Sequence, residues 1–228
     1  MICAARQAAL WTTSEAMLES REIHAVLSLS PDAFGLVGMF YTSGESRRAA
    51  VQQAIAASLE KLGMGVCRVE LLDAEEAEQP GKHRDVGLLA DRMHATLDIL
   101  ATRSDTRRLP LAILASEAAV PAAIAVANSR PRQVNTVVAC YGRPDQAPVD
   151  LATATVPTLL VVPSKDAALV ARNERVFEQL NCASQLAVIV GASRQFSEPG
   201  TLVACDYVVQ QWCERQLRSA ARSPKSRC

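Results

Sequence analysis

The feature that most constrains the fold is a regular alternation between short apolar runs and longer helical runs. It repeats about six times along the chain, which predicts parallel strands joined by right-handed crossovers. We therefore predict an α/β fold with a mostly parallel sheet of about six to seven strands, flanked by helices in three layers. The predicted strands are Ile23–Leu29, Gly35–Tyr41, Val66–Leu72, Leu109–Ser116, Val134–Cys140, Thr158–Val162 and Leu186–Val190.

Length and charge limit the class of protein. The chain has 228 residues, of which 49% are apolar, with 24 basic and 24 acidic side chains. These values are typical of one globular domain, and the balanced charge argues against nucleic-acid binding and electrostatic attachment to membranes. We expect a domain with little or no lid over 21–218, preceded by an ambiguous segment over 1–20 and followed by a basic, disordered tail over 219–228.

The cysteines indicate a reducing compartment. There are seven of them, widely scattered, without a Cys-x-x-Cys pair. Several lie inside apolar runs, as reduced core cysteines do, and this argues against a disulfide framework or a zinc site. The sequence has no secretory leader, no long apolar span and no phosphate-loop or dinucleotide motif, so we expect a cytoplasmic protein without a metal or cofactor.

The stretch Leu109–Ala127 contains the most specific local signal. An apolar run ends at Ser116, and an Ala-rich helical run begins directly after it. This is the layout of a nucleophile elbow, in which a serine lies on a strained turn from strand to helix. The usual Gly-x-Ser-x-Gly pattern reads Leu114-Ala-Ser-Glu-Ala118 here, so both glycines are replaced.

Other polar residues follow the predicted strands and are expected at the same edge of the sheet. In open α/β sheets, sites lie at the carboxyl ends of the strands. These ends are Tyr41–Glu45, Ser116–Glu117, Tyr141–Asp145, Pro163–Asp166 and Gly191–Gln195.

On these residues the sequence resembles the dienelactone hydrolase-like group of the α/β-hydrolases, over about 21–217. The resemblance rests on the elbow, on Gly142-Arg-Pro-Asp145, on the strand that leads to Asp166, and on the loop Gly191–Gly200 before the last helix. It implies a triad in the chain order Ser, Asp, His. By position, Ser116 matches the nucleophile and Asp166 the acid, but Arg194 stands where the family has histidine.

The departures from the family pattern bear on activity. A guanidinium does not release its proton near neutral pH, so Arg194 cannot act as the general base. Tyr41 replaces a family histidine in the oxyanion segment, where Thr42 follows it, and Glu117 is expected near the pocket mouth. None of the three histidines, His24, His83 and His94, follows the last strand as this mechanism requires.

Two hypotheses for Arg194 stay open beside a plain surface role. It could pair with Asp166 as an ion pair, or it could line an anion-accepting pocket together with Ser116.

Three functions stay open as well. The first is a catalytically inactive hydrolase relative that binds a small anionic ligand or a protein partner. The second is a weak or rerouted serine esterase that acts on small esters or lactones through Ser116. The third is a structural partner that forms a homodimer through an edge strand or an outer helix.

Overall fold

A computed structural model describes residues 12–17, 24–42, 46–79 and 81–222 of the chain. Its sheet contains β1 (Thr12–Met17), β2 (His24–Leu29), β3 (Leu36–Tyr41), β4 (Gly65–Glu70), β5 (Leu111–Ser116), β6 (Val134–Cys140), β7 (Thr158–Pro163) and β8 (Ser184–Ile189). Its helices are α1 (Ser46–Lys61), α2 (Ala74–Glu78), α3 (Val86–Thr102), α4 (Val120–Ser129), α5 (Ala167–Gln179) and α6 (Thr201–Arg222).

The strands form one sheet in the order β1-β2-β4-β3-β5-β6-β7-β8. In this spatial order, all the strands from β4 through β3 to β8 run parallel. At the other end of the sheet, β1 pairs antiparallel with β2, and β2 pairs antiparallel with β4. This confirms the predicted α/β fold. The sheet in the described residues has 8 strands, one more than we predict, because β1 forms within the N-terminal segment that the sequence leaves ambiguous.

The alternation of side chains along each strand divides the core into two layers. On β5, Leu111 and Ile113 lie in the layer beneath α3 and α4, whereas Ala112 and Leu114 lie in the layer beneath α1 and α6. All four are almost completely buried, as expected of a strand covered on both faces. The sequence of the strand therefore shows no clear period of two.

The segment over 73–84, between β4 and α3, is an excursion that is partly structured. Asp73 and Glu76 form a reciprocal capping box at the start of α2. Arg92, which is buried, holds Glu76 through a bidentate ion pair and also donates to the Leu71 carbonyl. These bonds anchor the excursion, and its short 3₁₀ turn Lys82–Arg84 packs against the turn Glu117–Ala119.

The boundary of the predicted C-terminal tail is wrong. The last helix continues to Arg222, so the first part of the predicted tail is helical. Leu217 is completely buried, and the Arg218 guanidinium lies 4.0 Å from the centre of the Phe34 ring. These contacts extend the helix beyond 218, while residues 223–228 lie outside the described part of the chain.

The cysteines that the structure describes are all free thiols. Cys67, Cys140, Cys205 and Cys213 are buried, and Cys182 is half-buried. This confirms the prediction of reduced core cysteines for the described residues. None of the described helices combines the length and the apolar character that a membrane span requires.

Candidate functional site

The strained position of the strand-to-helix turn is Glu117, not Ser116. Ser116 has an extended backbone with φ −123° and ψ 147°, as the last residue of β5. Glu117 has φ +51°, in the left-handed region that non-glycine residues rarely adopt. Because the nucleophile of an elbow is the residue on the strained turn, the prediction for Ser116 is wrong by one residue.

The spacing of small residues agrees with this shift. Ala115 and Ala119 lie two residues before and two residues after Glu117, where the elbow pattern has its glycines, and both are completely buried. The sequence contains this spacing, but the prediction rests on the serine at 116, which is the wrong residue.

Gly142 is required by the same turn. A Cβ atom at this position would lie 2.3 Å from Cγ2 of Val120 and 2.6 Å from the carbonyl oxygen of Glu117. The segment after β6 therefore packs directly on the backbone of the elbow, which accounts for the glycine in Gly142-Arg-Pro-Asp145. In the same segment, the Arg143 guanidinium donates two hydrogen bonds to the Asp145 carboxylate.

Ser116 points away from the edge of the sheet. Its side chain shares a face with Ala112 and Leu114, in the layer of α1 and α6, because alternate strand residues face the same side. It is 6% exposed and lies beside Tyr141. Burial, with the nearby Cys140 and Glu117, raises the pKa of the Tyr141 phenol far above its ordinary value, although Ser116 opposes the shift. Tyr141 therefore stays protonated and cannot take a proton from Ser116.

The hypothesis that Arg194 pairs with Asp166 is confirmed. The Arg194 Nε and Nη2 atoms each lie 2.5 Å from Oδ2 of Asp166, which joins the loops after β8 and β7. Asp166 also caps α5, since its Oδ1 accepts a hydrogen bond from the Leu169 N–H at 3.0 Å. Burial opposes ionisation of this carboxyl, but the Leu169 N–H and the Arg194 guanidinium together hold its pKa below the ordinary value.

A second ion pair fixes the loop that carries Arg194. Glu198 accepts a hydrogen bond from Lys165 Nζ at 2.7 Å and another from the Ser193 N–H at 2.9 Å. The hydrogen bond from Lys165, followed by that from Ser193, lowers the pKa of Glu198 to about 2. The β8–α6 loop is thus tied to the β7–α5 loop at two points.

The remaining predicted site residues lie apart from this pair. Tyr41 ends β3, and its side chain lines a groove against α1 rather than the elbow. Thr42 follows it and is buried. Glu45 lies outside the described residues. No hydrogen bond joins Ser116 to Arg194, so the anion pocket between them stays a prediction.

The histidines offer no base within a hydrogen bond of Ser116 in the described structure. His24 lies on β2, at the groove that Tyr41 lines. His83 belongs to the turn that packs against the elbow, and its Nε2 lies 2.7 Å from the Ala77 carbonyl oxygen. On α3, burial lowers the pKa of His94.

No family model matches the sequence. The structure is similar to that of a dienelactone hydrolase from Anabaena variabilis, with a TM-score of 0.83 and 31% identity, over 92% of this chain and 99% of that one. The esterase domain of a Rhodothermus marinus protein shares the fold, with a TM-score of 0.66 and 14% identity, over 92% of this chain and all of that one (100%).

A Mycobacterium tuberculosis protein with the provisional name of phosphoribosyl transferase is 33% identical over 184 residues. The match covers 78% of this chain but only 42% of the relative. The chain therefore spans less than half the length of that protein.

Proposed function

This chain belongs to the dienelactone hydrolase family of α/β-hydrolases, and from that membership we propose that it is a catalytically silent member that serves as a binding or protein-interaction module. The observation that carries the proposal is the occupancy of the three catalytic positions. Glu117 stands on the strained turn, Asp166 follows β7, and Arg194 follows β8. This set lacks both the hydroxyl or thiol nucleophile and the base of a serine hydrolase.

A carboxylate on the turn does not restore ester hydrolysis. Glu117 could attack a carbon centre without losing a proton, but the covalent ester would then need a water activated by a general base. The residue in the position of that base is Arg194, which only donates hydrogen bonds. Its ion pair with Asp166 keeps the contact between the two loops while removing the proton transfer.

The alternative esterase acting through Ser116 has little support. The hydroxyl is nearly buried, on the face of the sheet that α1 and α6 cover, and its neighbour Tyr141 is held in the protonated form. His83 is the imidazole on the turn that packs against Glu117–Ala119, so it is the residue to test as a rerouted base.

The test is the turnover of p-nitrophenyl acetate. We expect the natural protein to match the buffer background, and Ser116→Ala and His83→Ala to leave that rate unchanged. We expect the double variant Glu117→Ser/Arg194→His to gain about 10²-fold or more, since the loss of a single triad member costs about 10⁴ to 10⁶ in kcat. Either single variant is the matched control, because each one restores only half of the pair.

Turnover in the natural protein that disappears in Ser116→Ala would overturn the proposal and support the esterase. Turnover that instead disappears in His83→Ala would identify a rerouted base. If all variants stay at background while the double variant is folded by circular dichroism, the scaffold has also lost its oxyanion geometry, which agrees with a silent enzyme.

A second candidate function is the docking of another protein domain, and an exposed apolar surface supports it. Within the described residues β8 is an edge strand. Val188 on β8 is 38% exposed, and Val190, directly after the strand, is 85% exposed. On α6, which packs beside β8, Val203 and Tyr207 are 72% and 62% exposed. We define these four residues as the β8–α6 surface. An apolar, uncharged sheet edge is an open pairing site.

The partner that we propose is a phosphoribosyl transferase-like domain, in the same polypeptide or in a separate one. In the M. tuberculosis relative the stretch similar to this chain is 42% of the protein. The dienelactone hydrolase structure accounts for 92% of this chain. The transferase name therefore fits the remainder of the relative better than the matched part.

Light scattering after size exclusion tests this partner and the homodimer together. We expect this chain to be monomeric alone and to form a complex with the separately expressed remainder of the M. tuberculosis relative. Val190→Lys should abolish the complex, whereas Phe177→Lys, an exposed apolar position on α5, should leave it intact. A dimer of the chain alone that Val190→Lys dissociates would replace this partner by a second copy, and the absence of any complex would remove the docking proposal.

The buried free thiols fit a reducing, cytoplasmic location, which we include in the proposal.

A further inference from the structure

A polar cavity lies on the opposite side of the sheet centre from the Asp166–Arg194 pair, at the ends of β3 and β4. It has a volume of about 210 Å³ and is bounded by β2, β4, the end of β3 and helix α1. We call it the β2–β4 groove. The polar side chains that line it include His24, Tyr41, Gln52, Arg68 and Glu70.

The sheet register brings these residues together. His24 on β2 is directly opposite Glu70 on β4, and Glu70 is directly opposite Tyr41 on β3. Neighbouring strands lie about 4.7–4.9 Å apart, so the imidazole, carboxylate and phenol form a row across three strands. Arg68 lies two residues before Glu70 and thus on the same face. Gln52 comes from α1 and is only 7% exposed.

None of these five side chains has a hydrogen bond or ion pair to another of the described residues. Their polar atoms are open to the groove, where water or a ligand can pair with them, as polar groups in proteins ordinarily require. By contrast, the carboxylates of Glu76 and Asp145 are each matched to a guanidinium. Donors and acceptors in the groove therefore face space that a polar molecule can fill.

The chemistry of the lining defines that molecule. Arg68 offers a fork of donors suited to a carboxylate, and Gln52 can add a further donor. Glu70 can accept from a hydroxyl group, and burial followed by the Glu70 charge raises the pKa of Tyr41 to about 12, so its phenol remains a donor. A volume of about 210 Å³ corresponds to about seven water molecules at about 30 Å³ each.

We propose that the β2–β4 groove binds a small hydroxy acid of three to five carbons, with its carboxylate on Arg68 and Gln52 and its hydroxyl on Glu70. The groove lies beside the elbow without including it, since Tyr41 ends β3 and β3 pairs with β5. The proposed contacts use no residue of the elbow, so the occupation of the groove does not depend on whether the elbow is catalytically silent.

The experiment is isothermal titration of the folded protein with D-glycerate and L-malate, and with propionate, which lacks the hydroxyl group. We expect one binding site for at least one hydroxy acid, with a Kd of about 1 mM or tighter, and about tenfold weaker binding of propionate. Arg68→Met should weaken the hydroxy acid about tenfold or more. Glu70→Gln should instead reduce the preference for the hydroxy acid over propionate.

Arg108→Met is the matched control, because Arg108 is an exposed arginine outside the groove and its replacement should leave Kd unchanged. Circular dichroism establishes that each variant is folded. The proposal is overturned if neither hydroxy acid binds at about 10 mM, if Arg68→Met binds as tightly as the natural protein, or if propionate binds equally well. A failure here leaves the p-nitrophenyl acetate result unaffected, so the two proposals can fail separately.

Discussion

Two groups of polar side chains lie at the carboxyl ends of the parallel strands, and they differ in whether they are paired. Beside β7 and β8, Asp166 is bound to Arg194, and Glu198 is bound to Lys165. Beside β3 and β4, the side chains of Arg68 and Glu70 have no hydrogen-bond partner in the described residues, although they flank a cavity of about 210 Å³.

The difference shows which charges are structural. A carboxylate that caps a helix and holds a guanidinium is already satisfied, and the Asp166–Arg194 pair connects the loops after β7 and β8. Polar groups that converge on an open cavity keep their hydrogen-bonding capacity for water or a ligand.

The largest expected effect on stability comes from replacing Gly142, the glycine that packs on the elbow. Gly142→Ala should lower the free energy of unfolding by about 3 kcal/mol, since the added methyl would overlap Val120 and the Glu117 carbonyl, and backbone atoms cannot move away cheaply. Urea denaturation measures the change. Gly87→Ala is the control, because the nearest atom to its added Cβ is 3.5 Å away and alanine favours the helix. Similar effects of the two substitutions would mean that the elbow is loosely packed.

The next largest expected effect compares the paired and unpaired groups of side chains directly, by the stability that one substitution in each group costs. Asp166→Ala removes a helix cap and an ion pair, so it should cost about 1–2 kcal/mol. Glu70→Gln, which loses no hydrogen-bond partner among the described residues, should change stability by no more than about 0.5 kcal/mol. Thermal denaturation of both variants, in the same buffer, compares them. A larger loss for Glu70→Gln would show that the groove is a structural network and not a ligand site.

The smallest effect is the pH dependence of the Asp166–Arg194 pair. Because the folded pKa of Asp166 is lowered, its contribution to stability is complete above the unfolded pKa of about 3.9 and is lost as pH falls through the lower folded value. Arg194→Ala should cost about 0.2–1 kcal/mol at pH 7, since the guanidinium is 58% exposed.

The cost of Arg194→Ala should then shrink toward zero below the folded pKa of Asp166, where the carboxyl is protonated in both proteins. Urea denaturation from pH 7 to about pH 2 follows this difference through and below the lowered folded pKa. A cost that stays constant over this range would mean that Arg194 stabilises the loop by packing, without its charge.

Much of the fold was predictable because long elements have strong local signals. The strand Val134–Cys140 agrees with its predicted position. The errors lie where tertiary contacts extend an element. The last helix continues to Arg222 because Leu217 is buried and Arg218 stacks on Phe34, a residue far away in the sequence.

The candidate site was only partly predictable. The pairing of Arg194 with Asp166 was a correct hypothesis, because both residues follow adjacent strands of a parallel sheet. The sequence predicts the elbow at Ser116, one residue before its position in the structure. The reason is that a strand covered on both faces has no clear alternation that marks its last residue. The groove was not predicted, since its residues come from three strands and a helix and have no common motif.

The sequence by itself determined the α/β architecture and the presence of an arginine after the last strand, because periodicity and residue chemistry are local properties. Only the tertiary structure decided that Glu117 takes the strained turn, and that Arg68, Glu70 and Tyr41 face one cavity. Backbone strain and sheet register depend on how distant segments pack against one another, and no local pattern encodes them.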